Sequence, residues 1–398
     1  MTFSHAIQTV LLLPVIGGGI FCLLCVWAAA RFFAKRPTPG SYTPPITVLK
    51  PIYGLDKGLE ENLLSLCRQD YPDYQVVLAV QRTDDPALPL LRRLADDYPD
   101  RVTLVVKVSE PVVNGKVQNL TNALTAARHD LLLISDSDVR VTSDYLRIMA
   151  APLADPNVGY ACSMYRAAGA QHWCDKLELL SLNADFVPSL IFAAVTGVSD
   201  FCVGAIVVFR KADLEATGGM AALGDYLVED YELGRRLVGL GKTMVIIPHV
   251  VEILADYPSF SRWWRHQVYW DQNTWAANPT GFVLTILTRA VPFALAFALV
   301  RSFDATSVKV LVATLGIRLA TAGWICSAYL GDREGIKALW LLPVRDLFAL
   351  ASWYVAITRR SFEWRGHRFG LTKEGRIVPR GDMPATALNV TTEAVSAN

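Results

Sequence analysis

The sequence DLLLISDSD, residues 130–138, joins a strongly apolar run to two carboxylates one residue apart. A short apolar run of this kind is typical of a buried strand. In an extended segment, residues i and i+2 point to the same side, so Asp136 and Asp138 can face one ligand. Ligands of α/β sheets bind outside the carboxyl ends of the strands. The stretch therefore predicts a buried strand that brings two carboxylates to the ligand-binding edge of a sheet.

Strand-like and helix-like segments alternate on the N-terminal side of this stretch. We expect strands at residues 46–49, 74–80, 102–108 and 130–135, and helices at residues 59–67, 86–97 and 116–127. Such alternation predicts βαβ units and a mostly parallel sheet. The sequence therefore favours an α/β fold with a Rossmann-like mixed sheet in a domain that covers residues 37–275.

An apolar segment precedes this domain. Residues 7–33 are almost uninterruptedly apolar, and about 20 such residues suffice to span a bilayer. Arg31, Lys35 and Arg36 follow the apolar core, and basic residues mark the cytoplasmic side of a membrane helix. We expect residues 1–36 to form a transmembrane anchor, with the next domain in the cytoplasm.

The C-terminal third is apolar again. Residues 308–330 and 338–357 predict two membrane spans, whereas Arg289 and Pro292 interrupt residues 282–300. We expect the interrupted segment to lie at the interface or to dip into it, so that residues 276–370 form an interfacial helix and C-terminal transmembrane helices. Residues 371–398 read as a polar tail.

Composition limits the class of protein. Hydrophobic residues make up 52% and charged residues 19% of the chain, which fits a soluble domain joined to a few membrane segments. The net charge of +1 gives no reason to expect nucleic-acid binding. The seven cysteines are scattered, so they indicate neither a zinc site nor a disulfide framework.

The two carboxylates after the strand are candidate metal ligands. Mg²⁺ and Mn²⁺ prefer oxygen ligands, often one or two carboxylates together with substrate phosphates. Asp136 and Asp138 could hold such an ion against a diphosphate leaving group, whose charge the ion would neutralise. A polar turn whose acids cap the next helix remains an alternative interpretation.

Two further acidic segments have a functional and a structural interpretation each. Asp84 and Asp85 follow a predicted strand and could accept hydrogen bonds from a base or ribose, but Asp85 before Pro86 is also typical of a helix start. Glu229 and Asp230 open an amphipathic segment. A carboxylate there is a candidate general base, or a partner for the helix dipole.

Aromatic and basic side chains interleave in RWWRHQVYW, residues 262–270. Trp and Tyr are enriched at membrane interfaces, which favours an interfacial anchor. Arg265 or His266 could instead bind a diphosphate. Both interpretations remain open.

The ordered set of these features resembles the ceramide glucosyltransferase family and its bacterial relatives that glycosylate hopanoids. The resemblance extends across most of the chain. Its landmarks are Lys50-Pro51 with Gly54, residues 80–87, Lys116 with Asn119-Leu120, Asp136-Ser137-Asp138 with Arg140-Val141, Arg210-Lys211 with Gly218-Gly219, Glu229-Asp230-Tyr231 and Trp364-Arg365-Gly366.

The resemblance implies an A-type nucleotide-sugar glycosyltransferase fold, a UDP-sugar donor, Mg²⁺ or Mn²⁺, and inversion at the anomeric carbon. It implies that Asp230 is the catalytic base. Asp138 stands where many eukaryotic members of the family lack an acid, so the metal site of Asp136 and Asp138 is similar to the full DxD motif of other A-type enzymes. The residues that the resemblance implies for donor binding are Lys50, Asp84, Asp85, Lys116, Asp136, Arg265, His266 and Trp270.

One departure from the family pattern concerns the donor. The family has Arg or Gln, two residues, then Arg-Trp, whereas here Tyr269 precedes Trp270 where Arg is expected. The residue that replaces the missing cation could be Arg265, His266 or Trp270.

The resemblance implies transfer of one sugar to a membrane lipid, with glucose to ceramide as the first choice. Transfer of N-acetylglucosamine or glucose to a hopanoid is an alternative, and a processive polysaccharide synthase or a catalytically inactive sugar-nucleotide-binding protein are others. The bacterial relatives imply a multi-pass protein of the bacterial inner membrane, with the catalytic domain in the cytoplasm.

Overall fold

The computed structural model describes residues 3–35, 37, 39–108, 113–198, 204–359, 361–364, 367–372 and 376–379. Arg36, Arg365, Gly366 and most of the predicted polar tail lie outside these residues.

The chain forms two compact units. The helical unit comprises Met1–Arg36, Arg166–Ser199 and Leu254–Arg360, and the sheet unit comprises Pro37–Tyr165, Asp200–Ile253 and Ser361–Asn398. The chain therefore leaves the sheet unit and enters the helical unit more than once. The domain bounds that we expect from the sequence stay a prediction.

The sheet unit is built on a mixed eight-stranded sheet in the order β3-β2-β1-β4-β7-β6-β8-β5. A second sheet, of three strands in the order β11-β10-β9, comes later in the chain. The strands are β1 (Ile46–Pro51), β2 (Tyr74–Val80), β3 (Val102–Val106), β4 (Leu131–Ser135), β5 (Val139–Arg140), β6 (Val158–Ala168), β7 (Ile206–Arg210), β8 (Thr243–Leu254), β9 (Ser361–Trp364), β10 (His367–Leu371) and β11 (Ile377–Pro379).

Parallel pairing holds the N-terminal half of the large sheet together. β1 pairs in parallel with β2 and β4, and β2 pairs in parallel with β3, whereas β4 and β7 run antiparallel. Every residue of β1, β2 and β4 is buried, as apolar strands covered on both faces require. The predicted mixed α/β sheet is confirmed.

The helices of the two units follow in chain order. They are α1 (Phe3–Phe33), α2 (Leu59–Cys67), α3 (Leu88–Asp97), α4 (Gly115–Leu124), α5 (Tyr145–Ala150), α6 (Trp173–Ser181), α7 (Val187–Thr196), α8 (Lys211–Ala216), α9 (Glu229–Gly239), α10 (Phe260–Ala277), α11 (Pro279–Leu284), α12 (Ala290–Val300), α13 (Ala305–Ala328), α14 (Arg333–Ala338) and α15 (Leu342–Thr358).

The predicted elements before residue 136 are all present. α2 and β2 have the predicted bounds, and the other elements differ from prediction by up to three residues at an end. The helix expected at residues 86–97 begins at Leu88, because Pro86 and the Asp85 side chain form the turn that precedes it.

Four helical segments in the described part of the chain are long and apolar enough to cross a membrane: His5–Phe33, Trp173–Thr196, Ala305–Ala328 and Arg333–Thr358. A further apolar pair, Pro279–Thr288 and Ala290–Val300, is bent by 51°. Trp173–Thr196 is not among the predicted spans, because Asp175, Glu178 and Asp185 interrupt its apolar pattern. The predicted interfacial position of residues 282–300 stays a prediction.

Candidate active site

The turn after β4 carries the two carboxylates of the central motif. The Asp136 amide donates to the Ala205 carbonyl (3.0 Å), and the Val139 amide donates to the Asp136 carbonyl (3.3 Å), which closes the turn before β5. The Ser137 hydroxyl donates to Asp56 Oδ2 (2.5 Å). The turn is therefore fixed from β4 onward, while the Asp136 side chain is left to face a neighbouring cation.

That cation is Lys116, from the first turn of α4. Its Nζ lies 2.8 Å from Asp136 Oδ1 and 3.0 Å from Glu229 Oε1. Burial lowers the pKa of Lys116, but the nearby carboxylates of Asp136, Glu229 and Asp230 outweigh burial and hold this pKa well above its usual value. Burial raises the pKa of Asp136 above its usual value, although Lys116 opposes this shift. The ammonium group thus stays charged and joins two carboxylates that are distant in the sequence.

Asn114 aligns the start of α4 with the segment before α9. Its Oδ1 caps α4 by accepting from the Lys116 and Val117 amides, at 3.0 and 3.3 Å. Its Nδ2 donates to the Tyr226 carbonyl (3.0 Å) and to Glu229 Oε2 (3.1 Å). Removing the Asn114 side chain would leave the first-turn amides without their cap and would take one hydrogen bond from Glu229, which keeps its ion pair with Lys116.

Asp230 lies in the first turn of α9, next to Glu229. Its Oδ1 accepts from the Tyr231 amide (2.7 Å). A Cβ built on Gly204 would come within 1.5 Å of Asp230 Oδ2, so only glycine fits beside this carboxylate. Burial, with the Glu229 charge as the next cause, raises the pKa of Asp230 to about 7. A carboxyl with this pKa can accept a proton near neutral pH.

Asp138 is the second carboxylate of the motif. Its Oδ1 is buried and has no hydrogen-bond partner among the described residues. Burial, with the Asp136 charge as the next cause, raises the pKa of Asp138 to about 7. A buried carboxylate oxygen that lacks a partner normally destabilises a protein, so this atom fits a bound cation.

The donor set for such a cation is small. The described residues contain no group of three or more His, Cys, Asp or Glu side chains arranged to hold a metal. Magnesium and manganese sites often use one or two carboxylates and take their other ligands from substrate phosphates and water. The carboxylates of Asp136 and Asp138 therefore fit an ion that also binds substrate phosphates, and do not fit an ion held by the protein alone.

Lys50 lies behind the motif at the end of β1. Its side chain is fully buried, and its Nζ donates to Ser135 Oγ (3.1 Å) and to the Asp136 carbonyl. Burial lowers the pKa of Lys50 to about 8, although Asp138 and Asp136 oppose this shift. The contacts of Lys50 fix the backbone of the motif.

The Asp84-Asp85 pair divides into an exposed and a buried residue. The Asp84 side chain is 72% exposed and forms an ion pair with Arg82 (2.8 Å). Asp85 is buried and accepts from the Gly54 amide (3.0 and 3.2 Å) and the Ala87 amide (2.9 Å). Asp85 therefore holds the loop after β1 and the start of α3 together, as the helix-start interpretation expects. A donor contact of either residue stays a prediction.

The predicted donor-binding residues of α10 belong to the helical unit. Arg265 is exposed and donates to Ser261 Oγ (3.1 Å), while His266 Nδ1 lies 3.4 Å from Glu178 Oε1. The Trp270 ring contacts Phe186, with ring centroids 5.3 Å apart. Which of Arg265, His266 and Trp270 replaces the missing cation of the family pattern stays a prediction.

Sequence reasoning missed three residues beside the carboxylates of this site, namely Asn114, Tyr165 and Gly204. Glu229 was named beside Asp230 as a candidate for the general base, but its contact with Lys116 was not predicted. After burial, the carboxylates of Asp230, Asp136 and Asp138 are the largest causes that raise the pKa of Tyr165, so all three carboxylates act on one buried hydroxyl. Asn before a Gly-Lys helix start was a readable cap signal, but nothing local marks Tyr165 or Gly204.

Comparison with known proteins identifies the family of the chain. The model of glycosyl transferase family 21 matches residues 8–377 of the chain. The chain belongs to glycosyl transferase family 21. Ceramide glucosyltransferase 3 of Caenorhabditis elegans is 25% identical over 394 residues, which cover 90% of this chain and 81% of the relative. Ceramide glucosyltransferase 1 of the same organism is 27% identical over 235 residues, which cover 56% of this chain and 50% of the relative.

A solved structure supports the fold of this family 21 member. Mannosyltransferase PcManGT from Pyrobaculum calidifontis, in complex with GDP-Man and Mn²⁺, matches 88% of this chain and 99% of its own, with a TM-score of 0.55 and 21% identity. The match confirms the expected A-type glycosyltransferase fold. The family and the fold together confirm that the protein is a glycosyltransferase of the ceramide glucosyltransferase family.

Proposed function

We propose that this family 21 enzyme transfers one sugar from a UDP-sugar to a hydroxyl group of a membrane lipid, with inversion, and that the reaction is glucose transfer to ceramide. The observation that carries the proposal is the convergence of Asp136, Lys116, Glu229 and Asp230 in the sheet unit. The ceramide glucosyltransferase relatives support the lipid acceptor.

In the proposed reaction, the acceptor hydroxyl oxygen forms a bond to the anomeric carbon while the bond from that carbon to the diphosphate oxygen breaks. Asp230 takes the hydroxyl proton, and UDP leaves with the electron pair of the broken bond. The raised pKa of Asp230 suits this role, because a base with a pKa near the working pH combines availability with driving force.

Asp136 and Asp138 would hold a divalent cation, Mg²⁺ or Mn²⁺, at the donor diphosphate. When bound, the cation supplies Lewis-acid neutralisation of the charge on the leaving diphosphate. The unpartnered Asp138 Oδ1 supports this assignment. Lys116 would supply a second positive charge at the diphosphate, in exchange for part of its contact with Asp136.

The other donor contacts belong to the same proposal. Lys50 holds the motif backbone from behind, and Asp84 and Asp85 would face the ribose and base. Arg265, His266 or Trp270 would supply the donor contact that the family pattern assigns to an Arg, where this chain has Tyr269.

We place the protein in a bacterial inner membrane, as the resemblance to the bacterial relatives that glycosylate hopanoids implies. We place the sheet unit on the cytoplasmic side, because Arg31 and Lys35 follow the apolar core of α1.

The test uses purified full-length protein in nanodiscs, with UDP-glucose and ceramide or a hopanoid alcohol, and mass spectrometry of the lipid products. We expect one hexose on ceramide. A product with one sugar on the hopanoid alone would move the acceptor to the alternative lipid, and a polymer would refute single transfer. UDP-glucose hydrolysis without any lipid product would contradict the proposed acceptor class.

A further inference from the structure

The helical unit contains charged side chains inside its candidate membrane spans. Asp185 lies in Trp173–Thr196, Arg318 lies in Ala305–Ala328, and Arg345 and Asp346 lie in Arg333–Thr358. Arg289 stands at the break between Pro279–Thr288 and Ala290–Val300. Charged residues within apolar spans destabilise the protein unless they are paired or face a polar cavity, so they are functional candidates.

Asp185 is the centre of this ion cluster, which we define as Asp185, Arg289, Arg318, Arg345 and Asp346. Asp185 Oδ2 accepts from Arg289 Nη1 (2.9 Å) and from Arg345 Nη1 (2.7 Å), and Asp185 Oδ1 lies 3.7 Å from Arg318 Nη2. One carboxylate therefore faces guanidinium groups from three other parts of the chain.

Arg318 and Asp346 form the second pairing in the ion cluster. Arg318 Nε and Nη2 donate to the two oxygens of Asp346, at 2.9 and 3.0 Å. Arg345 Nε donates to Ser181 Oγ (3.0 Å). Bidentate pairs of this kind fix the geometry of both side chains. The side chains of the ion cluster are thus held in one arrangement by these contacts.

The backbone is irregular at two residues of the ion cluster. Asp185 belongs to the π-helical turn Leu182–Phe186, between α6 and α7. Arg289 belongs to the 51° bend before α12. Single π turns occur often at functional sites, and broken helices within membranes are tolerated where they line a cavity. Both features therefore make the space beside the ion cluster a candidate functional site.

A cavity of about 140 Å³ opens beside the ion cluster, wholly within the helical unit. This is several times the roughly 30 Å³ that one water molecule takes in the liquid. Aromatic and apolar groups of Phe186, Trp270, Phe282 and Ala349 share its wall with polar side chains. The polar side chains that line it include Ser181, Ser189, Gln267, Asp271, Thr274 and Ser352.

The wall of this cavity carries more acidic than basic side chains. Asp271 hydrogen-bonds to Ser352 and faces Arg289 and Arg345. Two arginines and three acids line the cavity: Arg289, Arg345, Glu178, Asp185 and Asp271. Arg318 and Asp346 of the ion cluster pair with each other and are not among the lining residues. No net positive charge is left for a phosphate, whereas hydroxyl and amide groups can use the donors and acceptors of the wall. The buried Arg289 Nε, which has no partner among the described residues, is one such donor.

We infer that this cavity binds the polar head of the acceptor lipid, a neutral head that carries hydroxyl and amide groups. The inference rests on the proposed function and names the acceptor subsite of the same reaction. The excess of acidic side chains in the wall selects against anionic phospholipids, which surround the protein in the bilayer. The mixed wall accepts the polar head at Asp271, Ser352 and Gln267, and the adjoining methylene groups at Phe186 and Phe282.

The experiment has a binding arm and a kinetic arm on full-length protein in nanodiscs. In the binding arm, a ceramide that carries a diazirine near the head end of its acyl chain is photolysed, and the labelled peptides are identified. We expect label in residues 178–189, 267–289 and 345–352, which line the cavity, reduced by unlabelled ceramide and not by phosphatidic acid. Label elsewhere, or competition by phosphatidic acid, would overturn the inference.

The kinetic arm uses one substitution that fills the cavity and a matched control substitution outside the cavity. Ala349 lines the cavity, whereas Ala351 on the same helix is exposed. We expect Ala349→Leu to raise the KM for ceramide by about tenfold or more, while the KM for UDP-glucose stays within about twofold of the wild type. Ala351→Leu should leave both values unchanged. Thermal unfolding reports whether each variant is folded, and the binding arm needs no variant.

The outcomes separate the two proposals. If the wild type transfers sugar to ceramide and Ala349→Leu matches Ala351→Leu in its KM for ceramide, the cavity is not the acceptor subsite and the proposed function stands. If the wild type transfers sugar to no lipid, the proposed function fails.

Discussion

Asp136 and Glu229 share one ammonium group, that of Lys116, at 2.8 and 3.0 Å. The two carboxylates come from the turn after β4 and from the first turn of α9, so this contact joins the sheet motif to the segment that carries Asp230. Two carboxylates this close to one cation repel each other once the cation moves away. Binding of a diphosphate that draws Lys116 away from Asp136 would therefore change the environment of Asp230 as well.

The assignment of Asp230 as the base predicts the effect of Asp230→Asn. The amide keeps the shape of the side chain but cannot take the proton, so we expect turnover to fall by about 10²–10⁴-fold. Binding of UDP, measured by calorimetry, should stay within about threefold of the wild type. Asp96→Asn, at an exposed position of α3, is the matched control. Turnover near the wild-type value in Asp230→Asn would refute the assignment.

The raised pKa of Asp230 predicts the pH profile of the reaction. Only the ionised carboxylate can accept the hydroxyl proton, and its pKa is about 7. Activity should therefore be full above this pH and should fall as the pH decreases through about 7, approaching one decade per pH unit. The measurement is kcat/KM for the lipid between pH 5 and 9. A profile that is flat down to pH 5 would contradict a base with this pKa.

The sequence predicts the first half of the fold well, because its signals are local. Short apolar runs predict β2 and β4, and amphipathic spacing predicts α2, without any information from distant residues. The contact of Lys116 with Glu229 has no local signal, since it depends on how α4 and α9 meet across the fold. The acids of Trp173–Thr196 concealed an apolar helix, because their partners, such as Arg345 for Asp185, come from distant spans.

The buried Asp138 oxygen predicts dependence on a divalent cation. With excess chelator, we expect the wild type to lose at least about 10²-fold in activity, with recovery on addition of Mg²⁺ or Mn²⁺. Asp138→Asn should weaken the binding of Mn²⁺ in the presence of UDP, measured by electron paramagnetic resonance, because a neutral amide replaces a charged ligand. Full activity in chelator, or unchanged Mn²⁺ binding in the variant, would rule out this role.

The bidentate pair of Arg318 and Asp346 predicts a stability effect that is independent of the sheet-unit carboxylates. Arg318→Met leaves a buried Asp346 with a weaker partner, and breaking such a pair lowers the free energy of unfolding by about 3–5 kcal/mol. Thermal unfolding in detergent should show this loss, and the exposed Arg333→Met should not. We expect Arg318→Met with Asp346→Leu to recover part of the loss. Equal unfolding of Arg318→Met and Arg333→Met would contradict the prediction.

The close approach of Gly204 to Asp230 gives the most local test of the site. An alanine at residue 204 would place its Cβ 1.5 Å from Asp230 Oδ2, so the carboxylate must move. We expect Gly204→Ala to lower kcat by about 10²-fold, since small displacements of a catalytic group have effects of this size. Gly239→Ala is the control, because a Cβ at this end of α9 meets nothing within 4 Å.

The control should stabilise the protein slightly, by up to about 1 kcal/mol, since alanine favours the helical conformation more than glycine does. The two variants thus separate the position of the carboxylate from the general effect of an added methyl group. UDP binding should survive in both, because neither change alters a charge. If Gly204→Ala turns over as fast as Gly239→Ala, the Asp230 carboxylate does not need the position that Gly204 leaves to it, and the assignment of Asp230 as the base loses its geometric support.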